Sequence, residues 1–235
     1  MNPTVIILIG AVFALSYILS RYQKNKNAKF SQKFKNVNFR EEFNNAARYK
    51  AQYLDDDLFI VKKQMEGKAI DAYTFANLPL SKKSMFKDGA KDVLKGAATL
   101  GMVSFQTIIT PKYLVLSKEN LHLLDTDKNG AISGDWVFNK ERLLQSSLEE
   151  ISLEGPQKDY AHKMGENVRG YKLTLATDKD PIVLVLFSAL ICTAPNFYHV
   201  NSFEKSITEI VIANDFLKNI GDLYPNLKVS VPILQ

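Results

Sequence analysis

The sequence predicts an α+β chain: an N-terminal transmembrane helix, a helical middle region, and then a small antiparallel β-barrel capped by a C-terminal helix. Three observations predict it. Thr4 to Ser20 carries no charged residue. Residues 38 to about 67 place apolar side chains at helical intervals. From Pro111 onward, short alternating runs follow one another with turn residues between them, until one capped amphipathic stretch closes the series. The segments read as 1–20, a transmembrane anchor; 21–37, a basic juxtamembrane stretch; 38–110, helical; 111–221, barrel plus helix; and 222–235, a tail.

Composition sets the outer bounds. A chain of 235 residues, 46% hydrophobic and 23% charged, can bury the core of one substantial domain plus an appendage. That balance excludes wholesale disorder and a multi-span membrane protein. The single cysteine, Cys192, excludes an intramolecular disulfide and a cysteine-rich metal site. The net charge of +5 is modest, so the placement of the basic residues says more than their sum.

The run from Thr4 to Ser20 is about as long as the shortest helix that crosses a hydrocarbon core. Arg21, Lys24, Lys26, Lys29, Lys33 and Lys35 follow it with no acid before Glu41, which is the reverse of a cleaved leader. The positive-inside rule then places the remainder in the cytoplasm of a single-pass cell-membrane protein. Tyr17 and Tyr22 bracket the end of the run as interfacial aromatics. The same six basic residues could form a nucleic-acid arm with Tyr22, Phe30 and Phe34, but their position next to a span favours membrane lipids as the partner and no nucleic acid.

Phe43, Ala46, Ala47, Lys50, Tyr53 and Leu54 share one helical side in the middle region. Asp55 to Asp57 read as a helix start rather than a metal site, because adjacent carboxylates on a helix cannot face one point. Gly96 to Ile109, uncharged and rich in small residues, reads first as a packing segment and second as a membrane contact.

Beyond Pro111 the period changes to two. Tyr113–Ser117 and Leu121–Asp125 form a hairpin around "KEN". The stretch "DTDKNGAIS" from Asp125 fits the first nine positions of a calcium loop, with Asp125, Asp127 and Asn129 as its first ligands. A strand rather than a helix enters it, however, and Trp136 stands where the closing glutamate belongs. A hairpin tip uses the same residues, since Asn and Gly tolerate positive φ and Asp caps turn amides. "LEEISLEG" and "YKLTLAT" read as further strands, and "IVLVLFSALICT" as a buried strand of about twelve residues. A helix then runs from an Asn201 or Ser202 cap to Gly221.

On "YLVLSKENLHLLD", "LEEISLEG" and the terminal helix ending "FLKNIG", the C-terminal half resembles the bacterial pleckstrin-homology-like domains and the related GRAM domains. The resemblance implies a binding or scaffolding module that offers a groove or strand edge to a protein, peptide or lipid partner. In that family some members bind phosphoinositides through a basic cluster on the first hairpin; here Lys112 and Lys118 are joined by Glu119 and by no arginine.

No catalytic constellation emerges. Cys192 and His199 lie seven apart without a protease pattern, His122 alternates with leucines and is expected to face solvent or an interface, and His162 lies in a polar loop. The sequence therefore points away from an enzyme, a cofactor or a resident metal, and toward a membrane-anchored cytoplasmic binding protein. A lipid carrier with an apolar cavity and a calcium-responsive module are the alternatives.

Overall fold

The computed structural model describes residues 16–17, 21, 32–79, 110–164, 167–194 and 202–235. The chain divides into two compact units, Met1–Asn38 and Phe39–Gln235. In the first, residues 32–35 make a helical turn.

The second unit begins with helix α1 (Phe39–Glu42), a 3-10 turn (Phe43–Asn45), α2 (Ala46–Asp56) and α3 (Phe59–Gln64). Strands β1 (Ala72–Ala76), β2 (Lys112–Ser117), β3 (Asn120–Thr126) and β4 (Ile132–Phe138) form a four-stranded antiparallel sheet in chain order. Helix α4 (Lys140–Leu144) leads to β5 (Ser147–Ile151) and α5 (Gly155–Met164). Strands β6 (Gly170–Leu175) and β7 (Ile182–Phe187) complete a second sheet with β5. The chain ends with α6 (Phe203–Leu223) and two 3-10 turns, Pro225–Leu227 and Pro232–Leu234.

Period-two alternation decides which side of the first sheet meets what. Ala72, Ala76, Leu114, Leu116, Leu121, Leu123 and Phe138 lie on its inner face, packed with Leu173, Leu184 and Leu186 of the second sheet and with Phe216, Leu217 and Ile220 of α6. Tyr73, Phe75, Tyr113, Val115 and Leu124 point the other way, under Tyr53 and Leu54 of α2, Val61 of α3, and Leu58 and Met65, which flank α3. A helical layer thus covers a face that would otherwise be wet, and α6, whose Ile212 and Ala213 also reach this second cluster, serves both.

Among the described residues the expected closed barrel is not formed: their seven strands make two antiparallel sheets. Among the described residues they meet at one corner through a bridge of Asn77 with Val185. The Asn77 side chain donates to the carbonyls of Val185 and Ile191 and accepts from the Thr193 amide, so it holds the corner in place of a ladder. At the opposite margin β4 and β5 do not pair, and α4 lies between them in the chain.

The middle region is not wholly helical, since β1 lies within it. Its residues Ala72–Ala76 are buried on both faces, so small residues alternate with Tyr73 and Phe75 rather than polar with apolar. Asp55 and Asp56 end α2 instead of starting a helix, and their neighbourhood is neutralised by Lys62, which pairs with Asp55, and by Lys205, which pairs with Asp57 at 2.6 Å. The expected long strand from Ile182 stops at Phe187; residues 188–194 stay buried without strand pairing, held in part by Leu190 donating to the Glu209 carbonyl at 3.2 Å.

Ser202 caps α6, its hydroxyl accepting from the Lys205 amide. The helix runs past Gly221 to Leu223. Gly221 is a point of close approach, where an added Cβ would lie 3.1 Å from the Lys228 Cα. The residues beyond it pack back on the core, with Tyr224 and Leu227 buried among the inner-face residues.

No helix among the described residues is long and apolar enough to cross a membrane. The longest, α6, carries six charged residues among its twenty-one. The expected transmembrane helix and single-pass cell-membrane address therefore lose their support and are withdrawn. Of Thr4 to Ser20 only Ser16 and Tyr17 lie within the described residues, and Gly96 to Ile109 lies outside them.

Candidate functional site

Two surfaces of the second unit combine exposed apolar groups with unpaired polar ones, and they adjoin. The first is the outer edge of β4. This strand pairs with β3 only, leaving one row of backbone amides and carbonyls without a strand partner among the described residues. Side chains alternate across it: Trp136 and Phe138 lie on the inner face opposite Leu123 and Leu121, while Asp135 and Val137 lie on the outer face. Phe138 is 2% exposed, but Trp136 is 49% exposed and Val137 46%. The Trp136 ring lies along the strand over Gly134, close enough that a Cβ there would sit 3.5 Å from it.

Asp135 is fixed from two sides. His122, diagonally across the ladder on β3 and 4% exposed, places Nδ1 2.8 Å from Asp135 Oδ1, and Lys68 Nζ lies 3.6 Å from Oδ2. His122 is thus an interior residue paired with Asp135 of β4, whereas its alternation with leucines suggested a residue facing solvent or an interface.

Lys68 leads to the second surface, a groove of about 620 Å³ beside α3. Leu54, Met65 and Ile70 line it along with Phe59, a residue 63% exposed, and Lys62, Lys63 and Lys68 are its basic members against the single acid Glu66. Because α3 begins at Phe59, immediately after the α2 end at Asp56 to Leu58, Phe59 stands at the helix start while Lys62 and Lys63 occupy its last turn.

A third concavity, of about 450 Å³, lies between α2 and the start of α6 and is lined by Glu42, Asp56, Asp57 and Glu204 with Tyr49 and Tyr53. Its groups largely satisfy one another. Tyr49 donates to Glu42 at 2.5 Å, Tyr53 to the buried Glu209 at 2.9 Å, and Lys205 sits 5.4 Å from the Tyr53 ring centroid while paired with Asp57. Together with the Lys50–Asp215 ion pair at 2.6 Å, these contacts clamp α2 to α6. Burial and then the Glu209 charge push the Tyr53 hydroxyl far above the usual tyrosine range, as expected of a structural donor.

The residues singled out in the sequence fall elsewhere. Lys33 and Lys35 lie on the helical turn of the first unit, and Arg21 stacks 5.9 Å from the Tyr17 ring centroid; Lys24, Lys26 and Lys29 lie outside the described residues. Asp125 receives the Lys112 ammonium and the Thr126 amide, and Asp127 accepts from the amides of Asn129 and Ala131 at 2.8 and 3.0 Å. Gly130 has φ +82°, so this stretch is the β3–β4 turn, with Asp127 as its cap. No group of three or more His, Cys, Asp or Glu side chains among the described residues is arranged to hold a metal. Cys192 is buried, its thiol pushed up to about 11 chiefly by burial, and His199 lies outside the described residues.

Sequence reasoning missed the β4 edge and the groove because their apolar residues, Trp136, Val137, Phe59 and Ile70 among them, read as core until the fold shows which of them stay exposed. The one available signal was the adjacent pair Trp136–Val137: on a strand, neighbours face opposite ways, so both are buried only if both faces are covered. Comparison with protein-family models, with curated proteins and with solved structures found no match.

Proposed function

We propose that the chain is a non-catalytic binding module of the pleckstrin-homology-like kind, which takes up an extended segment of a protein partner along the edge of β4. The antiparallel pairing of β1 to β4 and of β5 to β7, followed by the capped helix α6, supports the family resemblance, although α4 and α5 interrupt the strands. The observation that carries the binding reading is the seven-residue β4 edge with Trp136 and Val137 half exposed on opposite faces. Long edges with exposed apolar side chains invite another strand, and folded proteins normally blunt them. An added strand would satisfy the outward amides and carbonyls at a net ~0.5–1.5 kcal/mol for each hydrogen bond. Covering the exposed halves of Trp136 and Val137 would contribute about 1 kcal/mol each, half the usual value for a large apolar side chain.

A lipid carrier is less favoured, since the space between the sheets is occupied by Phe138, Tyr171, Phe216 and their leucine neighbours. A photoreactive residue in place of Val137, introduced into the full-length chain in its native cells, tests the proposal. A discrete protein adduct that disappears when Trp136 is also replaced by Lys is the expected result; a lipid adduct, or none, would overturn it.

A further inference from the structure

We infer that the groove beside α3 is a second, separate recognition site, which binds a short acidic protein segment bearing an aromatic or large aliphatic side chain. The floor supplies apolar contact from Leu54, Met65 and Ile70, and Phe59 stands open beside it as a ring for a partner side chain to pack against. The rim sets the sign of the charge. Lys62, Lys63 and Lys68 outnumber Glu66, and Lys63 makes no ion pair among the described residues. Lys68 is engaged with the largely buried Asp135, but the pair that Lys62 makes is a surface pair, with Lys62 and Asp55 both more than half exposed. Such pairs hold weakly and exchange readily for an incoming carboxylate. Three lysines, no arginine and one aromatic ring suit carboxylates spaced along a peptide better than a run of stacked bases, for which successive aromatic platforms would be needed. The site is built by residues 54–70, outside the β-sheets, and touches β4 through the Lys68–Asp135 pair, while Val137 is not among its lining residues.

Selection of a random peptide library on the full-length chain tests this directly. Enriched peptides are expected to combine Asp or Glu with Phe, Trp, Leu or Ile, to bind more weakly as salt rises, and to lose about tenfold or more in affinity with Phe59→Ala and with Lys63→Glu. The same peptides should keep their affinity for Val137→Lys, which tests the β4 edge alone. Enrichment of neutral or basic sequences, indifference to both groove variants, no enrichment at all, or single-stranded DNA binding that Lys63→Glu abolishes would each overturn the inference. Both groove residues are exposed, so unchanged melting of the variants separates lost binding from lost fold.

Discussion

The two sheets each have one free margin, and β4 and β5 treat it oppositely. Strand β5 is short, its Glu149 and Glu150 are paired with Lys172 at 3.5 Å and Arg169 at 3.2 Å, and the turn Pro225–Leu227 packs against it. Asn226 donates to the carbonyls of Leu143 and Ser146, at 2.8 Å each, just before that strand begins. Charges and a covering turn are the usual means of making an edge unattractive to another strand. Strand β4 is longer and carries Trp136 and Val137 instead. Its bulge, where Thr126 meets Ile132 and Ser133 is skipped, interrupts only the end next to the turn. The difference teaches that the two margins are not equivalent: β5 carries the devices that discourage strand addition and β4 lacks them, which is the contrast the proposed use of β4 rests on.

The comparison can be broken in several places. The largest expected effect separates two residues of the same strand and face: Phe138→Ala should cost about 3–5 kcal/mol of stability, whereas Trp136→Ala should cost under about 1 kcal/mol. Urea midpoints of the two variants check this, and equal losses would mean that Trp136 belongs to the core.

High pH probes the covered faces next. Burial raises the hydroxyls of Tyr53, Tyr73 and Tyr113 and the Cys192 thiol above their ordinary values. Each group is kept protonated by the fold, so its contribution is fully present below the unfolded value, about 10 for tyrosine, and is lost as pH rises through the folded one. Stability measured by urea unfolding should be flat up to about pH 8 and fall steeply above about pH 10; a flat profile to pH 12 would contradict the burial assigned here.

Gly221→Ala comes third. Its new Cβ would press on the Lys228 backbone, with an expected loss of about 1–3 kcal/mol. Calorimetric melting would reveal whether the C-terminal segment is in fact seated on α6.

Val137→Lys should weaken partner binding about tenfold, or ~1.4 kcal/mol, with little change in melting, because an exposed edge lysine opposes strand addition. The smallest effect is expected on the closed edge. Replacing Glu149 and Glu150 by Val should leave the monomer folded but promote weak self-association through β5, visible by sedimentation. If the same change does nothing while the native chain already associates through β4, a second copy is the occupant of that edge.

Legibility in the sequence followed the locality of the cause. The β2–β3 hairpin, the turn capped by Asp127 and the Ser202-capped helix were readable because alternation, turn chemistry and a cap each act within a few residues. Strand β1 was not, since "AYTFA" is buried on both faces by partners distant in the chain, and the polar-looking Gly155–Met164 helix offered no apolar stripe. Sheet closure was equally hidden: β4 and β5 have the same alternation whether or not they pair. His122 illustrates the limit, for only the diagonal position of Asp135 across the ladder explains its burial. Of the site, no motif marked Trp136, Val137 or Phe59, because exposure is a property of the assembled fold.

The most direct test of the central claim is backbone amide hydrogen exchange of the full-length chain, with and without a protein segment captured through Val137. Strand addition requires slowed exchange at alternate residues between 132 and 138, with β5 unchanged. Protection confined to β5, or spread over side-chain contacts without any slowing in β4, would contradict it.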